Sequence, residues 1–579
     1  MILQALAEYY QTLSRQGKIA KPGWNPIKVS FALDLDDDGR PSQLFPLNEF
    51  EERKGKQVQV PRTIVMPAHV KRTSGKSANF LCDNALYVFG LPKESKKDSD
   101  ESKNIQDAKE CFSCMANYHL QMLEKCDEPA GIALKKWFDN GKPMSEEIQA
   151  FIEPYRKELL AGANITYSHH GTLVADNPQI GKIWDDAYDV AEDGEKSICL
   201  ISGEKAVPES VHPSIKGVAG ASTMGAAIVS FNAPSFCSYG KEQSLNAPVS
   251  KASAFAYTSA LNYLLSDSSH RTVIGDSTIV YWADNGDPAY QDMFNFCLNG
   301  SNDAITDNDL KHLFTKLSLG EPVDFDGTTL SPSMPFYILA LSPNNARLSV
   351  RFFLNSTFGE IAANMKSHAD RLEIIDGPSN FPVWRMLRET VRSAGEKSAS
   401  PLPQLSGDII RSILTGTPYP STLYQQVQLR IRAEHDISRG KASIIKAYLL
   451  RNSNNPNNQE VLRVKLNEET TYTPYVLGEL FSVLENVQET ASGVSTIKDH
   501  YFTSACQTPA VVFPRLIDLA QKHLRKMEQG KKVFFSKQIQ DLIGKLDSDF
   551  PIQLNLNDQG IFQIGYYHKT RARYAKKEQ

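Results

Sequence analysis

Beyond Leu405 the apolar residues of this chain recur at three- and four-residue spacing, and they keep that spacing to the C-terminus. Ile409, Ile410, Ile413 and Leu414 form one stripe, and Leu423, Val427 and Ile431 form the next. "YVLGELFSVLENVQ", "VVFPRLIDLAQKHLRKM" and "VFFSKQIQDLIGKL" continue the pattern. A period near 3.6 lines up one face of a helix and nothing else, so this part must fold as packed helices. Ahead of it the texture differs. Residues 24–90 and 160–350 alternate turns with β-branched and aromatic runs such as "KSICLIS", "AAIVSF", "TVIGDSTIVYWA", "MPFYILALS" and "RLSVRFFL", which suit pleated, half-buried strands. Helical patterns interrupt at 104–125 and 251–265. The expected fold class is α+β: an N-terminal mixed α/β body with several short β-sheets over 1–400, then a C-terminal all-α helical bundle over 401–579.

With 579 residues the chain exceeds what one core holds, and two to four domains are expected. The opening "MILQALAEYYQTLSRQG" lacks the basic start and cleavage pattern of a signal peptide. Leu3, Leu6, Tyr10 and Leu13 fall at helical spacing instead, with Gly17 as a stop. No apolar run reaches the roughly 18 residues of a membrane helix. Three polar stretches punctuate the chain. "LPKESKKDSDESKN" (91–104) reads as an exposed loop or disordered insertion, "SAGEKSASPLPQLSG" (393–407) as a linker, and "RNSNNPNNQE" (451–460) as a break that a helix does not tolerate. The eight cysteines are scattered, not arranged as a disulfide framework; reduced thiols and a cytoplasmic location are expected.

The net charge of −4 conceals a division: residues 401–579 carry 23 Lys+Arg against 17 Asp+Glu, so the preceding part is acidic. Inside that acidic part, residues 51–80 hold seven Lys/Arg against two Glu. Phosphate attraction acts over about a Debye length, roughly 10 Å in moderate salt, so local charge matters more than the total. The basic stretch ends in "HVKRTSGKSANFLCDN" (69–84), where Lys71, Arg72 and Lys76 surround a hydroxyl-rich turn containing Thr73 and Ser74.

Enzymatic readings find little support. Gly75-Lys76-Ser77 resembles the end of a nucleotide-binding loop, but that motif needs a further glycine where this chain has Val70. Cys111-x-x-Cys114, with His119 and Cys126 nearby, has metal-ligand residue types. It lies in an apolar helical pattern with Phe112, Met115 and Leu120, which favours a place in the core. His169-His170 falls in "ITYSHHGTL", where neighbouring strand residues point to opposite faces, so an exposed loop pair is expected. Asp185-Asp186 has no partner motif, and neither G-x-S-x-G nor H-E-x-x-H occurs. No catalytic residue, no metal and no cofactor is expected.

The stretch from 230 to 265, "SFNAPSFCSYGKEQSLNAPVSKASAFAYTSALNYLL", is more informative. Asn232, Ser235, Ser238, Tyr239, Lys241, Gln243 and Asn246 surround Gly240 before a helix begins near Ser250. Amides suit base edges, while hydroxyls and Lys suit phosphate oxygens. A turn that uses Asn and Gly for its backbone, with Phe231 and Phe236 packed inward, is the plain alternative.

Together with its opening "MILQALAEYY", the chain carries "VKRTSGKSANFLCDNALYVFG", "SFNAPSFCSYGKEQSLNAPVS", "AFAYTSALNYLL", "GDSTIVYWA", "FYILALSPNNARLSVRFF", "LTGTPYP", "TPAVVFPRLIDLAQKHL" and "GIFQIGYYHKTRARY" in that order. In this it resembles the large subunit of the type I-C CRISPR surveillance complex (Cascade). The resemblance implies a non-enzymatic subunit at the foot of a crRNA-bearing filament. Such a subunit reads the protospacer-adjacent motif on duplex DNA, promotes strand separation and R-loop formation, and supports recruitment of a helicase-nuclease. The implied partners are the backbone, crRNA-processing and small subunits, the target double-stranded DNA and the helicase-nuclease, with no membrane.

On that resemblance Lys71, Arg72, Thr73, Ser74, Lys76 and Asn79 form a loop on the duplex. The cations hold phosphates, and Asn79, with Asn232 or Gln243, meets base edges. In the tail, Arg515, Lys522 and Lys526 share a helical face, with Arg525, Lys531, Lys532 and Lys537 close by, as a surface for the displaced strand; an ordinary solvated helix face is the alternative. "GYYHKTRARYAKK" interleaves tyrosines with cations and is a candidate contact to nucleic acid or a neighbouring subunit, with a frayed terminus as the alternative. Residues 461–579 resemble a separately translated small subunit. No Met lies between Met386 and Met527, so its start is expected at a non-AUG codon near Val461 or Leu462. Two rivals stand beside this reading: a stand-alone nuclease, and a scaffold subunit that never touches DNA.

Overall fold

The computed structural model describes the chain except for residues 54–55, 71, 73–74, 95–97, 141–143, 190–194, 300–306, 377–380, 393–399, 547–548 and 576–579. Its contacts gather into two compact units. The first comprises Leu13–Ser210 and Ala233–Tyr257; the second comprises Met1–Thr12, Val211–Asn232 and Thr258–Gln579. The boundary expected at 400–401 therefore falls inside the second unit. The α+β class holds, with short sheets and helices first and helices alone after Leu405. Among the described residues, no helix is long and apolar enough to cross a membrane.

The first unit is organised by a five-stranded sheet. Phe31–Leu35 lies parallel to Asn164–His169; Pro41–Pro46, Cys82–Asn84 and Thr172–Leu173 add antiparallel neighbours. Phe31, Ala32, Leu33 and Leu35 are all buried, as befits a strand covered on both faces. A second sheet pairs the long strand Lys56–Pro67 with Trp24–Val29 and Asn48–Arg53. The helix Asp98–Met122 packs Cys111, Phe112, Met115, Ala116 and His119 into the core beneath the first sheet. It begins inside the stretch 91–104, whose second half is thus helical rather than loop. Cys111 and His119 are buried as expected of core residues.

One local detail departs from the strand rule. His170 follows the strand Asn164–His169 at φ +48, with Gly171 at φ +77. Once the backbone turns left-handed, neighbours no longer point to opposite faces. Both imidazoles reach the same Asp37 oxygen.

In the second unit, Arg271–Ile274, Ser277–Ala283, Pro335–Asn344 and Arg347–Thr357 form an antiparallel meander. Every residue of Ser277–Ala283 is buried, which accounts for the unbroken run "TIVYWA". The first helix, Ile2–Arg15, buries Leu6, Tyr9, Tyr10 and Leu13, with Gly17 at φ +68 beyond its end. The stripes at 409–414 and 423–431 are buried in helices Leu405–Thr415 and Ser421–Glu434. The Asn-rich stretch separates helix Arg439–Asn452 from the short helix Asn458–Val461, and it is closely bonded: Nδ2 of Asn458 donates to the Leu449 carbonyl at 3.0 Å.

At the centre of the helical part lies Thr473–Ser492, with residues 474–485 all buried, crossing the final helix Leu556–Ala575. Two of the three closing tyrosines belong to that crossing, while Tyr574 is exposed. Tyr566 and Tyr567 are buried, and Tyr566 donates to Glu485 at 2.7 Å, so they form core rather than the contact surface that the sequence suggested.

Candidate nucleic-acid interface

Of the first loop's expected residues, Lys71, Thr73 and Ser74 lie outside the described residues. The others show a loop braced from behind. The buried Asp83 carboxylate accepts the backbone N–H of Asn79 at 3.0 Å and of Asn84 at 2.9 Å. It also pairs with the Arg72 guanidinium, which donates through Nε to the Ser77 carbonyl at 2.7 Å and lies 4.0 Å from the Tyr87 ring centroid. Asn79, expected to meet a base, is 3% exposed, and its Oδ1 accepts the Val70 N–H at 2.9 Å. It acts here as a brace.

Lys76 bridges Asp107, at 2.8 Å, and Glu110 on the helix Asp98–Met122, and these carboxylates hold its ammonium well above the usual lysine range. Leu81 sits at φ +61, a costly conformation for a branched residue. Its N–H donates to Nε2 of His119 at 3.0 Å, while Nδ1–H of His119 donates to the Met115 carbonyl at 2.9 Å. These two bonds define the neutral tautomer, and burial drives the His119 pKa down to about 4. What stays outward is the segment Gly75–Ser77, with Gly75 at φ +77 and open space where its Cβ would stand.

This bracing separates the loop's two cations. Arg72→Ala strands the Asp83 carboxylate, whose side chain is 2% exposed. It is expected to cost about 2–3 kcal/mol of unfolding free energy, less than a fully buried pair would, because Arg72 is partly solvated and Asp83 keeps two backbone N–H partners. Lys76→Ala disturbs only solvated partners and is expected to leave the melting curve unchanged. Chemical denaturation of the two variants side by side checks this.

The second loop is held at its base and open at its tip. Pro248 and Val249 accept the N–H groups of Leu200 and Glu209 at 2.9 and 2.8 Å. Cys199 Sγ accepts the N–H of Ser250 at 3.3 Å and of Ser202 at 3.5 Å. Burial alone would raise that thiol; the hydrogen bonds from Ser202, Ser250 and Ser253 outweigh it and bring the pKa down to about 6. Asn246 clamps the loop from inside: its Oδ1 accepts the Ser238 N–H at 2.9 Å, and its Nδ2 donates to the carbonyls of Lys241 and Gln243 at 3.1 and 2.9 Å. Asn232 accepts from Arg347. Both amides thus serve the scaffold.

Ser235, Ser238, Tyr239, Lys241 and Gln243 are exposed, and so is Phe236, which the sequence also allowed as a core residue. Tyr239 is 99% exposed and heads a tight turn closed by Lys241 N–H to Ser238 C=O at 3.0 Å. Tyr239 and Gly240 both take positive φ, +56 and +70. A tyrosine there costs about 1–2 kcal/mol, and its fully solvated ring recovers nothing by packing. The fold holds an aromatic and a lysine out into solvent at its own expense.

In the tail, Arg515 and Lys522 on the helix Pro509–Leu524, Arg525 and Lys526 just past its end, and Lys531, Lys532 and Lys537 on the next helix are all exposed, while Leu516 and Leu524 of the first helix are buried. Lys522 pairs with Asp518 at 2.8 Å, and the Arg515 guanidinium lies 5.5 Å from the Tyr501 ring centroid. The exposed Val533 and Phe534 adjoin Lys531 and Lys532 on the helix Gln529–Ile543.

The partners that brace the first loop, Asp83, Tyr87, Asp107, Glu110 and His119, were not singled out for that role by the sequence. Their contacts to Arg72, Lys76 and Leu81 span 11 to 38 residues, and no spacing rule connects them. A family model described as CRISPR-associated protein (Cas_Csd1) matches residues 6–574. No curated protein matches the chain.

Proposed function

The chain belongs to the CRISPR-associated protein family Cas_Csd1, and from that premise we propose that it is the non-catalytic large subunit of a type I-C CRISPR effector complex. In this reading it recognises the protospacer-adjacent motif on duplex DNA and promotes strand separation, so that the crRNA pairs with its target and an R-loop forms. The backbone, crRNA-processing and small subunits surround it, and a helicase-nuclease recruited to the complex does the cutting. The observation that carries the reading is the solvated, strained turn Ser238–Lys241, which presents Tyr239 and Lys241 beside the exposed Gln243.

Each exposed group has a separate task. Lys241 neutralises a phosphate, as does whatever part of Lys76 its carboxylates release. The Tyr239 ring offers a stacking face to an unpaired base. The Gln243 amide both donates and accepts, as a base edge requires. Asn79 and Asn246 act one step back, by fixing the backbones that carry these groups, and Asn232 is engaged by the Arg347 guanidinium. The exposed cations from Arg515 to Lys537 neutralise the displaced strand. Residues 461–579 contain the crossing of Thr473–Ser492 with Leu556–Ala575 whole, which suits a separately translated small subunit starting near Val461 or Leu462. Mass spectrometry of the purified complex should then find a short C-terminal polypeptide.

The test uses the assembled complex and duplexes with correct and altered flanking sequence. Gln243→Ala is expected to reduce discrimination between them by about 1–3 kcal/mol. Lys241→Ala should weaken all duplexes alike and lower the salt slope by about one. Unchanged affinity and discrimination in both variants would sink the assignment. Cleavage of DNA by the purified chain with Mg²⁺ or Mn²⁺ would favour the nuclease instead. Failure of a duplex with a photoreactive flanking base to crosslink to this subunit would favour the scaffold.

A further inference from the structure

We infer that Asp37, His169 and His170 form a binding site for one divalent transition-metal ion. Asp37 lies in the turn after strand Phe31–Leu35, and His169 ends the strand Asn164–His169 that pairs in parallel with it, opposite Leu35. Parallel neighbours finish side by side, so residues 132 and 133 positions apart in sequence meet at one end of the sheet. Nε2 of His169 and Nε2 of His170 stand 3.0 and 3.1 Å from the same Asp37 oxygen, Oδ1. One ligand atom from each of the three residues lies within 4.8 Å of the others. Ligands about 2.0–2.2 Å from a tetrahedral ion stand about 3.3–3.5 Å from one another. The two distances to Asp37 Oδ1 need to open by only a few tenths of an ångström to admit an ion, and the two imidazole nitrogens already lie within 4.8 Å of each other.

The two turns are fixed by residues other than the ligands. Asp34 Oδ1 accepts from Ser168 Oγ at 2.7 Å and from the Gly171 N–H at 2.8 Å, which holds the left-handed turn at His170. Asp36 Oδ1 accepts the N–H groups of Asp38 and Arg40 at 2.9 and 2.8 Å, and Lys136 donates to the Asp37 carbonyl at 2.8 Å. A donor set fixed before the ion arrives is what metal affinity requires.

Hydrogen bonding alone accounts for either contact. One carboxylate oxygen can accept from both rings at once; what points to an ion is that both rings, 4.3 Å apart between centroids, converge on a single oxygen of a carboxylate whose side chain is 79% exposed. Two imidazoles and a carboxylate favour Zn²⁺, Ni²⁺, Cu²⁺ or Co²⁺ over Mg²⁺ and Ca²⁺. The His169 side chain is 11% exposed and that of His170 61%. An ion would rest on a sheltered ligand and complete its shell with water. It would clip the two turns together.

The experiment titrates untagged, chelator-treated full-length chain with Zn²⁺ against a chromophoric chelator, and records the electron paramagnetic resonance spectrum with Cu²⁺. One equivalent is expected to bind, with two-nitrogen hyperfine structure for Cu²⁺, and Zn²⁺ should raise the melting midpoint. His170→Gln and Asp37→Asn should each weaken binding at least about tenfold. His169→Gln with His170→Gln should abolish it, with melting in chelator unchanged. Wild-type protein that fails to compete with the chelator overturns the site. So does stoichiometric binding that survives His170→Gln at full strength; because that side chain is solvated, this single variant decides the matter even if the double variant misfolds.

Discussion

Replacing Gly478 with alanine is expected to cost about 3–5 kcal/mol of stability, well above the usual penalty of a single methyl group. A Cβ on Gly478 would stand 2.0 Å from the Phe562 carbonyl oxygen and 2.7 Å from the Tyr566 nitrogen. Gly565 faces the other way across the same crossing, with its Cβ position 2.2 Å from the Tyr475 carbonyl oxygen. The obstacles are backbone atoms of the opposing helix, which no rotamer change removes. Helix propensity argues the opposite sign, since alanine gains about 1 kcal/mol over glycine in a helix interior. The clash wins because one of the two crossing helices must move bodily to relieve it. Gly530 supplies the control: it lies in the helix Gln529–Ile543 with nothing within 4 Å of its Cβ position. Gly530→Ala should stabilise by at most about 1 kcal/mol. Denaturant unfolding of the three proteins checks both signs, and equal midpoints for Gly478→Ala and wild type would refute the close crossing. Because Gly478, Gly565 and all their neighbours lie between 461 and 579, a separately made C-terminal product should fail with the full chain.

Mild acid should destabilise both units well above the range where carboxylates titrate. Burial lowers the pKa of His119 to about 4, and that of His368 and His568 to about 3. In the unfolded chain each would titrate at its ordinary 6.5. As pH falls below 6.5, the unfolded chain takes up protons that the folded chain refuses, so stability is lost as pH falls toward the folded values. The loss per histidine is about 2 kcal/mol by pH 5. For His119 the obstacle is visible: Nε2 is occupied by the Leu81 N–H, and the ring is stacked on Phe80 and Phe138. His119→Gln should flatten the pH dependence of the first unit while lowering its stability at pH 7.5, since Leu81 loses its partner. Unfolding free energies that stay level from pH 7.5 to 5 would rule the account out. The link reaches the candidate interface, because the same histidine holds the backbone behind the first loop.

The sequence by itself determined which segments are helix and which are strand wherever the pattern was long and regular. Ile409, Ile410, Ile413 and Leu414, with Leu423, Val427 and Ile431, are buried as their spacing required, because period is a local property that each segment carries alone. It also marked the second loop, since Tyr239, Gly240 and Lys241 show their character in three consecutive residues. Only the tertiary structure decided which polar residues are tools and which are braces. Asn79 and Asn246 have the same amide as Gln243, yet they are spent on backbone groups while Gln243 is exposed. Tyr566 and Tyr567 read as a contact surface until the crossing with Thr473–Ser492 buried them. Asp83 beneath Arg72, His119 beneath Leu81, and Asp37 between two histidines are pairings across 11 to 133 residues. Such pairings depend on where the sheet and helices bring distant turns, and a side chain's chemistry is set by the neighbour that satisfies it.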